Sequence, residues 1–186
     1  SRVYSHPQQP NDATPHRAPG PLDRTARPAT GTAKGSTVNL RQVLNPRTIV
    51  FNLAAATKPA IIEEMLDLLI RAGKLSERDD ALQALLEREA KMSTAIQNGV
   101  AIPHAKSDSV RELVTAVAIL PKGVDFGALD GKPTQIFIMT LSPKSRLGPH
   151  IQFLSAVSQL LDNPTVRRAL LKTKKPDEVI AILSDG

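Results

Sequence analysis

The chain has 186 residues, 41% hydrophobic and 23% charged, with a net charge of +6, four histidines and no cysteine. That length suits one ordinary domain plus a tail. The missing cysteine excludes disulfides, thiolate catalysis and cysteine-based metal sites, and no run approaches the roughly 18 apolar residues of a membrane span or the apolar core of a signal peptide.

Composition changes abruptly near residue 37. Residues 1–36 hold six of the 15 prolines and little aliphatic material beyond Val3 and Leu22. Such a stretch cannot bury enough apolar surface to offset its chain entropy, and it is expected to be a flexible, Pro-rich, basic tail or linker. Arg2, Arg17, Arg24, Arg27 and Lys34 against Asp12 and Asp23 put half of the net charge there. The remaining charge is diffuse. Tyr4 is the single tyrosine and Trp is absent, so base-stacking surfaces are scarce and no nucleic-acid partner is expected. The chain opens on Ser rather than Met, as a piece of a longer protein would, and the tail would then serve as a tether, with a membrane protein a candidate for the other end.

Taken in order, Asn39 to Leu44 reads as a short helix and Thr48 to Phe51 as a brief strand. From Thr57 the period becomes helical: Ile62, Met65, Leu66 and Leu69 share a face widened by Ile61 and Leu68, with Thr57 as N-cap and Gly73 as stop. Ser76 to Glu89 forms a second helix, capped by Ser76, with Leu82, Leu85 and Leu86 as its stripe. Residues 94–97 and 100–103 are short β-tolerant pieces around the tight-turn dipeptide Asn98-Gly99. Thr115 to Leu120 and Gln135 to Leu141 are β-branched apolar runs bounded by turn residues, the pattern of well-buried strands. Pro149 to Leu161 is helical, placing Ile151, Leu154, Val157 and Leu161 together; Asn163-Pro164 caps a further helix and Pro176 opens the last. Strands in the middle with helices on either side predict an α/β fold over residues 37–186. It is a single domain whose mixed sheet is covered by helices on both faces.

Two histidines, His6 and His16, fall in the tail, which leaves His104 and His150 for a defined environment. His104 follows Pro103 at the end of a short β-like segment, where a loop would begin. A lone histidine is more often a satisfied core or surface group than a reactive one. His150 falls in the first turn of its helix, where free N–H groups and the dipole favour an anion nearby. Arg88 ends the second helix before Ser93-Thr94; a guanidinium fork with hydroxyls suits a phosphoryl group, while its neighbours Glu87 and Glu89 make a solvated face the plainer reading. Two histidines without a third ligand make a weak metal site. No G-x-S-x-G elbow, P-loop or dinucleotide fingerprint is present. Residue by residue, the reading ends at a polar or anion site with two histidines.

From Arg88, the stretch REAKMSTAIQNGVAIPHAK resembles the active-site signature of enzyme IIA domains of the bacterial phosphoenolpyruvate-dependent phosphotransferase system. The likeness is to the fructose/mannitol class and especially its nitrogen-regulatory branch. The matching positions are Arg88, Glu89, Ser93, Thr94, Ile96, Asn98, Gly99, Ala101, Ile102, Pro103 and His104. PHIQFLSAVSQLL resembles the later element in which a histidine, here His150, opens a helix near the site. FGALDGKPTQIFIMTLSP is similar to the family's Asp-Gly-x-Pro turn and buried strand, and the likeness spans roughly residues 38–184. Met92, Ala95, Gln97 and Ala105 stand where several members carry glycine, which could alter the loop's shape.

The resemblance implies phosphoryl transfer between histidines. His104 would be the phosphoacceptor, His150 its hydrogen-bonding neighbour and charge stabiliser, Arg88 the anion clamp and Thr94 a hydroxyl contact to the phosphate. No metal or organic cofactor is implied. The donor would be the small histidine phosphocarrier protein, and the recipient an enzyme IIB domain or a regulated transporter or kinase, in a bacterial cytoplasm. A docking patch near His104 would include Ile102 and Ala105. The alternative is a regulatory or sensory domain of a larger membrane transporter, with little or no phosphotransfer.

Overall fold

A computed structural model describes residues 38–185; the expected tail over residues 1–36 lies outside the described residues. The first elements are set by asparagine caps. Asn39 accepts from the Arg41 N–H at 3.1 Å to start α1 (Leu40–Val43), and Asn45 accepts from Arg47 at 2.9 Å to start a 3-10 turn that leads into β1 (Ile49–Val50). Helix α2 (Lys58–Arg71) takes a proline in its first turn and ends on Gly73, whose φ of 70° suits the left-handed exit. Helix α3 (Arg78–Lys91) begins later than expected. Ser76 does not cap it; Glu77 precedes it without a side-chain cap, and Asp79 and Asp80 face the helix dipole instead.

The Asn98-Gly99 turn forms as read, with both residues at positive φ (60° and 74°), joined by an antiparallel bridge between Ala95 and Ala101. It delivers the chain to β2 (Val100–Ala101) and, past Ile102-Pro103, to β3 (His104–Lys106). Strands β4 (Val114–Val124) and β5 (Thr134–Ser142) pair antiparallel, with a register shift between Ile119 and Val124 that absorbs the Pro121–Gly123 turn signals. β1 lies parallel to β4, and β2 and β3 both lie parallel to β5, one after the other, so the five-stranded sheet is mixed. Proline has no N–H for the ladder, so Pro103 splits an edge strand in two. Its carbonyl still accepts from the Thr140 N–H at 2.9 Å.

Helices α4 (Leu147–Asp162), α5 (Pro164–Lys172) and α6 (Pro176–Asp185) complete the fold. Strand alternation divides the core. Ala116, Ala118, Phe137 and Met139 point toward α2 and α3, joining Ile61, Ile62, Met65, Leu69 and Leu85. Val117, Ile119, Ile136 and Ile138 point the other way, joining Phe153, Val157 and Leu161 of α4 with Leu170 and Val179 of the last two helices. Both faces are therefore covered, as the mixed apolar runs predict. The α4 stripe is displaced from the expected one: Phe153, Val157, Leu161 and His150 are buried, whereas Ile151 is 55% exposed. A histidine at the head of the stripe hides the true phase from a count of apolar residues. Among the described residues no helix is long and apolar enough to cross a membrane.

Candidate functional site

Parity along the sheet assembles the site. Ala105 belongs to the α2–α3 side of the core, so its neighbours His104 and Lys106 face the α4 side. There the register sets His104 beside Thr140 and Lys106 beside Ser142, both on β5. His104 thus opens a strand, where the sequence suggested the end of one. Helix α4 crosses this end of the sheet and brings buried His150 to it; the two imidazole centroids lie 5.7 Å apart with planes tilted by 56°. Helix α3 packs on the opposite face through Ala81 and Leu85, and its last turn carries Arg88 to His104 past the sheet edge. The three residues line one open cleft of about 970 Å³, together with Lys91, Lys106 and Lys144 and the carboxylates Asp80, Glu87 and Asp108, the last 3.5 Å from Lys144 Nζ.

Two hydrogen bonds define the state of His104. Its Nδ1 lies 2.7 Å from the Ile102 carbonyl, which can only accept, so Nδ1 carries the hydrogen. The Nε–H of Arg88 donates to Nε2 at 3.2 Å, so Nε2 holds a lone pair. Burial pushes the His104 pKa below its ordinary value, the Ile102 carbonyl pulls it back in part, and Arg88 lowers it further. Arg88 is itself held by a 2.8 Å bond from Nη1 to the Met92 carbonyl at the end of its own helix. His150 is pushed down to about 4 by burial, with His104 and Lys106 adding to the effect. Both rings are therefore uncharged at neutral pH. An uncharged imidazole with one bare nitrogen, flanked by a guanidinium in a lysine-bearing cleft, is suited to attack an electrophilic phosphorus and hold the resulting anion.

A family model described as phosphoenolpyruvate-dependent sugar phosphotransferase system, EIIA 2, matches residues 42–186. The chain belongs to that family. The fructose-specific EIIA component of Haloferax volcanii is 42% identical over 130 residues, covering 70% of this chain and 84% of that protein. The fructose-specific EIIABC component of Bacillus subtilis is 35% identical over 147 residues, but the chain spans only 23% of its length. The crystal structure of nitrogen regulatory protein IIA-Ntr from Neisseria meningitidis superposes with a TM-score of 0.72 at 31% identity, covering 77% of this chain and 98% of that one. The EIIA fold is thus the one built here, in a chain similar to both fructose-specific and nitrogen-regulatory members.

Other residues of the EIIA domain stand differently from their expected places. Thr94 is buried and does not line the cleft; its hydroxyl donates to Glu89 at 2.6 Å. Glu89, expected on a solvated face, is 7% exposed and forms a hub: it accepts from Lys58 Nζ at 2.8 Å and from the Thr94 N–H at 3.1 Å. Burial pushes its carboxyl up, and the Lys58 and Thr94 hydrogen bonds more than offset that, leaving it below the usual carboxylate range. Lys58 also lies over the Phe126 ring at 4.8 Å. Ile102 and Ala105 are core residues, not surface: their strand turns one to each side of the sheet. The exposed apolar side chains beside His150 are Leu147 and Ile151. Ser142, hidden in an apolar strand, touches His150 with its hydroxyl at 2.7 Å. Arg88 and the two histidines carried a signal in the sequence, as did Glu89 and Thr94 through the family likeness; Ser142 needed the strand register.

Proposed function

We propose that the chain is a phosphohistidine carrier whose acceptor atom is Nε2 of His104. The observation that carries the reading is the pair of bonds on that ring. The Ile102 carbonyl holds the hydrogen on Nδ1 and leaves Nε2 bare, beside Arg88, at an open cleft. The donor is the small histidine phosphocarrier protein. As the Nε2 lone pair attacks phosphorus, the donor's P–N bond breaks and its electron pair returns to the donor ring. Positive charge grows on the His104 ring, and the Ile102 carbonyl at Nδ1–H stabilises it. The Nε–H of Arg88, freed from Nε2, then turns to a phosphoryl oxygen. His150 stays neutral beside it and takes no part as a competing charge. Positioning and charge stabilisation supply most of such a reaction.

Leu147 and Ile151, exposed on the first turns of α4 beside buried His150, give a partner protein apolar contact around the reacting atom. The recipient is an enzyme IIB domain, in keeping with the B. subtilis relative whose name joins A, B and C components, or a regulated target as in the nitrogen-regulatory members. Phosphoenolpyruvate, enzyme I and the phosphocarrier, added to the purified chain, should give one acid-labile phosphoryl adduct by intact mass, absent from His104→Ala. A folded wild-type chain that stays unmodified with phosphocarriers of its own organism would overturn the reading.

A further inference from the structure

Hydroxyl groups gather on the α4 side of the sheet near His104, and they are not equivalent. The Thr140 hydroxyl donates to the Val114 carbonyl at 3.1 Å and is fully used within the sheet. Ser142, at the end of the same strand, is 0% exposed, and its Oγ lies 2.7 Å from Nδ1 of His150. Among the described residues that ring nitrogen is the single hydrogen-bond partner of the hydroxyl. The direction of the bond follows from counting hydrogens. If Nδ1 carried the ring hydrogen, Ser142 would accept it, and the serine's own O–H would be left in a dry position with no acceptor, an expensive arrangement. With the ring hydrogen on Nε2, the serine donates to the bare Nδ1 and nothing buried is left unpaired. His150 lines the cleft and Ser142 does not, so the ring edge away from Ser142 is the one that the cleft receives.

We propose that Ser142 is a positioning residue of the phosphoryl site: its buried hydroxyl donates to Nδ1 of His150, holds that ring as the Nε2–H tautomer, and so aims an uncharged N–H donor at the phosphoryl group on His104. The inference rests on the reading of His104 as acceptor. The two rings then form a complementary pair. A hydrogen bond from behind fixes each: the Ile102 carbonyl bares Nε2 of His104 for phosphorus, and the Ser142 hydroxyl, donating to Nδ1, keeps the ring hydrogen of His150 on Nε2 for phosphoryl oxygen. Burial keeps His150 from taking a second proton, so its tautomer and not its charge is what the site controls.

Long-range proton–nitrogen spectra of the uniformly labelled full chain at neutral pH report both ring nitrogens directly, with His150→Asn assigning the signals. In the wild type, Nδ1 of His150 should appear unprotonated and Nε2 protonated, and Ser142→Ala should move Nδ1 toward the protonated position. The rate of phosphoryl transfer from the phosphorylated phosphocarrier should fall roughly tenfold in Ser142→Ala, the loss of about one hydrogen bond to a charged group, and recover in Ser142→Thr, which keeps the hydroxyl. A protonated Nδ1 in the wild type overturns the proposal without any variant. Full-rate transfer in Ser142→Ala overturns the role of Ser142 alone, leaving His104 as acceptor. A wild-type chain that accepts no phosphoryl group, whatever its tautomers, overturns the carrier reading and this role with it.

Discussion

Arg88 and His104 meet nitrogen to nitrogen: the guanidinium Nε–H donates at 3.2 Å to the one imidazole nitrogen that lacks a hydrogen. On the carrier reading proposed above, the arginine is hydrogen-bonded in advance to the atom that the phosphoryl group would occupy. The two side chains therefore hold one another in place.

Lysine at position 88 keeps the charge and loses the planar fork. Arg88→Lys should slow phosphorylation of His104 by about 100-fold, the scale of removing one well-placed donor from a developing anion. The fold should be nearly unaffected, since the bond from Arg88 to the Met92 carbonyl is exposed and worth about 1 kcal/mol at most. Quenched-flow mass measurement gives the first value and urea unfolding the second. Equal rates in the two proteins would remove Arg88 from the reaction.

Stability should fall with acid in a window set by His150. Its folded pKa of about 4 lies below the ordinary value of 6.5, so the unfolded chain binds a proton that the folded chain refuses. The folded state therefore has its full advantage above pH 6.5 and loses it progressively as pH drops toward 4, on the order of 3 kcal/mol in all. His104, also displaced downward by burial, acts in the same direction. Urea midpoints measured between pH 7 and pH 4.5 should decline in the wild type and decline less in His150→Asn. An equal decline in both would mean that the burial of His150 is not what the acid disturbs.

Glu89 is expected to matter for folding more than its place beside Arg88 suggests. Glu89→Ala strands the Thr94 N–H and hydroxyl and takes the carboxylate from Lys58, for a loss of roughly 3 kcal/mol. Glu89→Gln keeps an acceptor for Thr94 and should lose less. Chemical denaturation of the two variants ranks them, and a harmless Glu89→Ala would show that the hub is relieved by water.

Two glycines separate backbone strain from crowding. Gly73 and Gly123 have φ near 70° (70° and 69°), but a methyl on Gly73 meets nothing within 4 Å, whereas one on Gly123 would stand 2.7 Å from Cβ of Pro133. Gly73→Ala should cost about 1 kcal/mol for its left-handed backbone. Gly123→Ala should cost roughly 3 kcal/mol, because the β4–β5 connection must shift as well. Thermal unfolding distinguishes them; the same loss in both would put the whole effect in the backbone angle.

The secondary elements were legible because their apolar periods were long and their caps and turns explicit, as at Asn163-Pro164 and Asn98-Gly99. The errors came where a polar residue stood in a buried phase. His150 heads the buried stripe of α4 and Glu89 continues that of α3 beyond Leu85, so counting hydrophobics shifted one face and hid the other. Ser142 was not legible at all. Its importance arises from the parallel register that sets it beside Lys106, under a helix that follows it in the chain, and pairing of that kind leaves no mark in a local stretch of residues. Ile102 and Ala105 were misplaced for a related reason: a strand of small apolar residues reads alike whether its faces meet solvent or core.

Strand β5 bonds to β4 on one side and to both β2 and β3 on the other, and its Thr140 N–H is tied to the Pro103 carbonyl immediately before His104. An amide so placed has no local route to solvent, so its hydrogen should exchange only when the whole domain opens. The edge segment that carries the histidine is thereby anchored to a strand paired on both sides. If the proposed loading of His104 occurs, this anchoring favours an unaltered chain trace, and a protein that reads the loaded form would then respond to new charge at the surface.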